Sequence, residues 1–427
     1  MISALGNKIN PFLRSDNRRL VSSAFLLQVA TAGLSYLAIL LMARNMKVEE
    51  FGKYTYLNSW VMMIAILAGF GLPQSVVQLL GKYSSKNEPG KSWGLVRYSY
   101  QFSFFTSSIL SLSMYFVCNY LGDWDDSWVL CAMLVPIFTI TNLQVGLGRV
   151  VEKVATALVV THVIRHLTVI SWVLLGLLVS SQVPANELFI AVGCVSLMAI
   201  IQQGRKIIPR FQWSDEYMKT EEKRDWLKAS LPFLGLTVGM FLIEQVDLLL
   251  IGFFKGEKGV ALYAVASKVA YLVSFIYVAM TTSLAPKLSR LHHSGDKKGL
   301  RQLVDQAGKL MIGAAIAAGL LVVGFHSYIL SLMGEQYLPV ANTLIILVAA
   351  HVLFSFVGLS DSLLSMSGMQ KDTFVIYLCS IITNIVLSIV LIPLLGLKGA
   401  AIGHLVSKFF FLIGIKWIVN KKIDLRD

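Results

Sequence analysis

A few ionisable side chains stand inside long apolar stretches of this chain, where charge is expensive and a functional role is the default reading. His162, Arg165 and His166 are spaced i, i+3, i+4, so they share one face of a helix. Arg165 lies about eleven residues into its apolar run, roughly 16 Å along a helix axis. A guanidinium at that depth either binds an anion or pairs with a carboxylate to hold helices together. Glu244 and Asp247 also share a face. Two carboxylates so close tend to share a proton, which suits a relay; the alternative is a structural partnership with Arg165 or Lys268. Lys268 stands among Tyr263, Tyr271 and Phe275, about eight residues from the end of its run, which is far for a lysine to snorkel. His404 and Lys408, at i and i+4, repeat the pattern on the last run. Arg44 is either an interface anchor or a further cation for an anionic group. Asp361 borders the polar run Gly358 to Ser362 and carries no assignment. His326 and His351 read as packing residues.

The chemistry these groups offer is the binding of a charged substrate and the movement of protons. Arg165, Lys268, Lys408 and Arg44 are the candidate substrate-binding cations. Glu244, Asp247, His162 and His166 are the candidate ion-coupling groups. Tyr36, Tyr56, Trp60, Tyr100, Tyr277 and Phe356 offer faces for sugar rings or for ordinary packing. There is no Walker A sequence, no HExxH and no zinc-ligand spacing, so no cofactor, no metal and no direct use of ATP is expected.

The elements that hold these groups are membrane spans. Mean hydropathy is +0.69, 56% of residues are apolar and 14% are charged, against about 25% charged in soluble domains. Runs such as Leu20 to Ala43 and Leu310 to Met333 can cross roughly 30 Å of hydrocarbon, which takes about 20 helical residues. The pattern predicts twelve spans, near 20–43, 54–80, 99–121, 128–148, 155–179, 186–203, 229–254, 259–286, 308–332, 339–366, 373–395 and 400–420. The first run is longer than a signal-peptide core and reads as a span. Cys118, Cys131, Cys194 and Cys379 all fall in apolar runs and read as packing residues. Pro73, Pro136, Pro286 and Pro393 are expected bends.

Lys and Arg sort by side. With the N-terminus placed in the cytoplasm, 28 fall on the inner connections and 6 on the outer ones, namely Arg44, Lys47, Lys53, Lys255, Lys258 and Lys398. That bias predicts both termini inside and accounts for the net charge of +13 without nucleic acid. An acidic turn, Gly122 to Asp126, is expected outside. Phe51-Gly-Lys-Tyr54 and Val260-Ala-Leu-Tyr263 open two long spans in the same way, each leading to a basic inner loop. The expected architecture is all-α, with two parallel six-helix repeats, residues 1–210 and 229–427, and a binding site between them. The cytoplasmic linker 211–228 is expected to lie as a surface helix on the membrane.

Val48-Glu-Glu-Phe-Gly-Lys-Tyr54, Ala261-Leu-Tyr-Ala-Val-Ala-Ser-Lys-Val269, Leu284-Ala-Pro-Lys-Leu288 and Gly295-Asp-Lys-Lys298 occur in order. Met333-Gly-Glu-Gln-Tyr337, Met366-Ser-Gly-Met-Gln370 and Leu391 to Ile402 follow. This series, over essentially the whole chain, resembles the polysaccharide-transport branch of the multidrug/oligosaccharidyl-lipid/polysaccharide exporter superfamily, and within it the O-antigen flippases. The resemblance implies a MATE-like fold and a bacterial inner-membrane transporter. Its cargo would be undecaprenyl-diphosphate-linked repeat units, moved by alternating access with an ion gradient as the implied driving force. The implied partners are the lipid-linked oligosaccharide, membrane lipids, and polysaccharide polymerase and chain-length proteins around a monomeric transporter. Two other readings remain: a multidrug cation exporter, which wants a net acidic site, and a membrane polymerase or ligase, which wants a larger outer loop than any here.

Overall fold

The computed structural model describes residues 17–121, 126–151, 163–179, 182–211, 220–294, 296–366 and 369–422, and these are helical almost throughout. The helices are α1 (Asn17–Asn45), α2 (Val48–Ala68), α3 (Leu72–Ser85), α4 (Pro89–Leu121), α5 (Asp126–Val151), α6 (Ile164–Leu178) and α7 (Ala185–Ile207). There follow α8 (Thr220–Tyr271), α9 (Phe275–His293), α10 (Lys297–Gly324), α11 (His326–Met333), α12 (Ala341–Ser355), α13 (Ser360–Met366), α14 (Gln370–Leu395) and α15 (Leu397–Lys422). His162, the acidic turn before Asp126 and linker residues 212–219 lie outside the described residues.

Among the described residues, eight helical stretches are long and apolar enough to cross a membrane. One of them, Glu222–Thr281, covers two predicted spans. The shorter apolar helices Val29–Asn45 and Ile164–Leu178, with the serine- and aromatic-rich α4, leave a helix over each of the twelve predicted spans. No more than 50% of the most apolar window of any of the eight is buried within the protein. Exposed apolar side chains such as Phe105, Leu178, Phe253 and Trp417 offer surface to lipid.

Four spans differ from the uninterrupted helices the hydropathy predicts. The second breaks between α2 and α3, where Phe70 and Gly71 both have positive φ (49° and 73°). The eighth tightens into a 3-10 turn at Leu272–Ser274. The ninth ends at Gly324, and α11 follows as a separate short helix. The tenth breaks at 356–359, where Gly358 has φ 59°. Hydropathy follows the apolar surface and is blind to these turns. Non-helical backbone at membrane depth is tolerated only where protein or a polar cavity covers it; Val357 and Leu359 are fully buried.

The linker expectation is corrected at its C-terminal end. Residues 220–228 are the first turns of α8, continuous with the next span. Trp226 is buried among Leu72, Val76, Leu80, Leu95, Val96, Leu143, Leu147 and Ile207, and its indole donates to the Tyr83 hydroxyl at 2.8 Å. Nearby, Ser75 Oγ and Ser230 Oγ are hydrogen-bonded at 2.6 Å. Farther along the same contact, α2 meets α8 so closely that a Cβ on Gly52 would sit 1.9 Å from the Glu257 carbonyl oxygen. The two helices therefore touch backbone to backbone with no room for a larger residue. A continuous apolar core runs from Ala38 and Phe51 through Val260 and Val273 to Leu344 and Ala401.

Candidate substrate and ion-coupling site

The site is built on a helix that turns back on itself. In α8 the backbone leaves helical geometry at Gly256 (φ 66°, ψ −170°), a region open essentially to glycine alone. Tyr263 OH donates to Asp247 Oδ2 at 3.0 Å. Along a straight helix those residues would be about 24 Å apart, so the two legs lie side by side. Glu244 stands twelve residues before Gly256 and Lys268 twelve residues after it. The hairpin therefore brings these opposite charges to the same level.

Each carboxylate has its own partner on α15. Lys408, on α15, is ion-paired with Glu244, and its Nζ lies 4.3 Å from the centroid of the Phe354 ring. His404, one turn earlier on α15, donates Nδ1 to Asp247 Oδ2 at 2.7 Å. The expectation that Glu244 and Asp247 share a proton is thus corrected: the shared face exists, but each carboxylate bonds outward to a different residue of α15. The expected partnership with Arg165 or Lys268 is likewise replaced by Lys408 and His404. Asp247 Oδ1 and His404 Nε2 are buried without a hydrogen-bond partner among the described residues. His351, read from sequence as packing, is buried on α12; its Nδ1 shares a hydrogen bond with Ser274 Oγ at 2.7 Å. Its ring lies 5.8 Å from that of His404 and 5.7 Å from that of Tyr271. His351 thus forms one wall of the polar network.

Accessibility separates the cations. Lys268 is exposed although protein surrounds it, as expected of a group lining an internal water-accessible space. The Glu244 side chain is 34% exposed and Lys408 is 0% exposed. Arg165 sits in the first turn of α6 and is half-buried. Its guanidinium bonds Asn58 Oδ1 on α2, lies 3.9 Å from Met62 Sδ and sits 4.4 Å over the Phe138 ring. Among the described residues no carboxylate lies within ion-pair distance of either Arg165 or Lys268. Arg44 is exposed in the last turn of α1, and among the described residues no hydrogen bond or ion pair joins it to the network. His166 is half-buried beside Arg165 in sequence. Asp361 opens α13 and accepts from Tyr377 OH at 3.5 Å.

Of the aromatic candidates, Tyr56 stacks edge-on with Trp60 and Trp128, at 6.3 and 6.0 Å, and Tyr277 meets Phe354 at 4.8 Å. These are packing contacts. Sequence reasoning missed Tyr263 and Asn58 as ligands of the charged groups. A polar residue on a helix next to a buried charge is the only available signal, and it becomes readable once the Gly256 turn is known.

The sequence profile described as "Polysaccharide biosynthesis protein" matches residues 18–292. The chain belongs to the polysaccharide biosynthesis protein family. A second profile, MatE, matches residues 232–390. Among curated relatives of this family member, the probable low-salt glycan biosynthesis flippase Agl15 of Haloferax volcanii is 23% identical over 90% of this chain and 79% of its own. The probable flippase AglR of the same organism is 30% identical over 38% of this chain and 35% of its own. Both are archaeal. Among solved structures, the lipid II flippase MurJ in an inward closed conformation superposes with a TM-score of 0.73 at 14% identity, covering 92% of this chain and 87% of that one. An inward-facing MATE multidrug transporter superposes with a TM-score of 0.69 at 14% identity, covering 94% and 98%. This polysaccharide biosynthesis protein therefore has the MATE/MurJ fold.

Proposed function

We propose that this protein flips lipid-linked glycans across the membrane. In its finer form the reading is the movement of undecaprenyl-diphosphate-linked O-antigen or polysaccharide repeat units from the inner to the outer leaflet of a bacterial cytoplasmic membrane. Relatives named as glycan flippases support the general activity. One observation carries the mechanism: Lys268 is accessible and without a carboxylate partner among the described residues, while the nearby acid Glu244 is already held by Lys408. The accessible surface thus offers positive charge to an anion. A diphosphate cannot enter hydrocarbon uncompensated, because burying charge without partners is strongly unfavourable. Lys268 and Arg165, on α8 and α6, are the proposed ligands of the phosphates, while the polyprenyl tail stays in lipid. Arg44 at the end of α1 is the proposed outer contact. Lys408 contributes through Glu244. A cationic drug would meet the same lysine and arginine, neither of them held by a carboxylate among the described residues, which disfavours the multidrug reading.

The proposed movement is a rocking of two six-helix lobes, 1–210 and 229–427, about the bound anion, with both termini cytoplasmic. Coupling to an ion gradient is assigned to Glu244, Asp247, His166 and His162. The test is export of surface glycan by a strain lacking the native protein. Lys268→Ala and Arg165→Ala should lose export at unchanged protein level, and Lys268→Arg should keep much of it. Normal export by both alanine variants would sink the cationic-site mechanism.

A further inference from the structure

We infer that Lys408 is a positioning residue whose task is to keep Lys268 free for the anionic cargo, by occupying the carboxylate of Glu244. This rests on the reading of Lys268 as the anion-binding group. The Gly256 hairpin sets Glu244 and Lys268 level on adjacent legs, and Glu244 is within electrostatic reach of Lys268. Lys268 is exposed and the Glu244 side chain is partly so. Left to themselves, an acid and a lysine so placed would pair, and a phosphate would have to displace the acid.

Lys408 prevents this from behind. It is fully buried, and its ammonium is fixed against Phe354, whose ring stacks on Phe411 at 5.7 Å. A lysine so confined cannot reach into the accessible space, and it has one carboxylate within ion-pair distance among the described residues, that of Glu244. His351 and His404 also face Glu244, but their Nδ1 atoms are already engaged by Ser274 and Asp247. Removing the Lys408 charge leaves the Glu244 carboxylate uncompensated, and the accessible cation within its reach is Lys268. An uncompensated ion in protein seeks the nearest partner, so the anion site would be lost without any change at Lys268 itself.

The experiment reads Lys268 directly. Purified full-length protein is treated with a small amine-acetylating reagent, and modification of each lysine is followed by mass spectrometry. Lys298 and Lys421, exposed and distant in sequence, serve as internal standards. In the wild type Lys268 should react. In Lys408→Met its modification should fall several-fold while the standards are unchanged, and it should return in Lys408→Met/Glu244→Gln and in Lys408→Arg. A merely structural role for Lys408 would not move one lysine against the standards and then restore it through Glu244. Lys408→Gln repeats the comparison with the hydrogen bond retained, in case Lys408→Met does not give a monodisperse protein. Unchanged Lys268 reactivity in a folded charge-removing variant overturns the proposal. An unreactive Lys268 in the wild type would instead overturn the reading of Lys268 as an accessible anion site.

Discussion

The hydroxyl of Tyr263 and the carboxylate of Asp247, sixteen positions apart in one helix, are 3.0 Å apart. The chain can place them so only by reversing at Gly256. That single reversal brings Tyr263 back to Asp247 and sets Lys268 level with Glu244.

The reversal should therefore be sensitive to a methyl group. A Cβ at Gly256 would meet nothing within 4 Å, so steric crowding is not the issue; its φ of 66° with ψ −170° is. Gly256→Ala should lower stability by about 1–3 kcal/mol, the range for such backbone strain. Thermal unfolding in detergent measures this. A midpoint equal to wild type would mean that the hairpin has another way to turn.

The contact between α3 and α8 predicts a crosslink. Ser75 Oγ and Ser230 Oγ are 2.6 Å apart, within reach of a disulfide once both are cysteine. Ser75→Cys/Ser230→Cys should oxidise readily, arrest export, and recover with reductant. Persistent export by the fully crosslinked protein would show that these helices need not separate during transport.

The Asp247–His404 pair predicts a change in energy coupling. Both keep an unused buried polar atom, Oδ1 and Nε2. Asp247→Asn retains the shape and removes the charge that His404 meets. In membrane vesicles, wild-type transport should slow when the proton or sodium gradient is collapsed. The variant should be slow already and respond little. A variant with full gradient dependence would remove Asp247 from the coupling scheme.

The Lys and Arg bias predicts topology. Of 37 such residues, 28 lie on connections assigned to the cytoplasm. A reporter fused after Asp126 should appear outside the cell and one after Lys219 inside. Opposite locations would invert the assignment.

Much of this could be read from the residues. Hydropathy located the twelve spans because lipid-facing and core-facing side chains are both apolar. Arg165, Glu244, Asp247, Lys268 and Lys408 stood out because charge is rare in such runs. What the sequence did not carry was pairing. Glu244 and Asp247 look like a proton-sharing couple from their i, i+3 spacing, and only the position of α15 turns them to Lys408 and His404. Phe70, with φ 49°, has a residue type that gives no sign of a break. Trp226 lies beside Arg224 and Asp225 in a polar stretch and so resembled a surface residue. It is instead buried in a core formed mainly by α3, α4 and α5.

The spacing about Gly256 also bears on how the chain is made. A lone ion at the middle of a bilayer raises the free energy of insertion by about 2.5–3.5 kcal/mol on translocon scales. Glu244 and Lys268 emerge from the ribosome on the two legs of one hairpin, whereas Lys408, on the last helix, is synthesised after both. On that order of synthesis Glu244 is expected to meet Lys268 before Lys408 is made. Its pairing with Lys408 in the folded protein would then convert an insertion pair into a vacant cation.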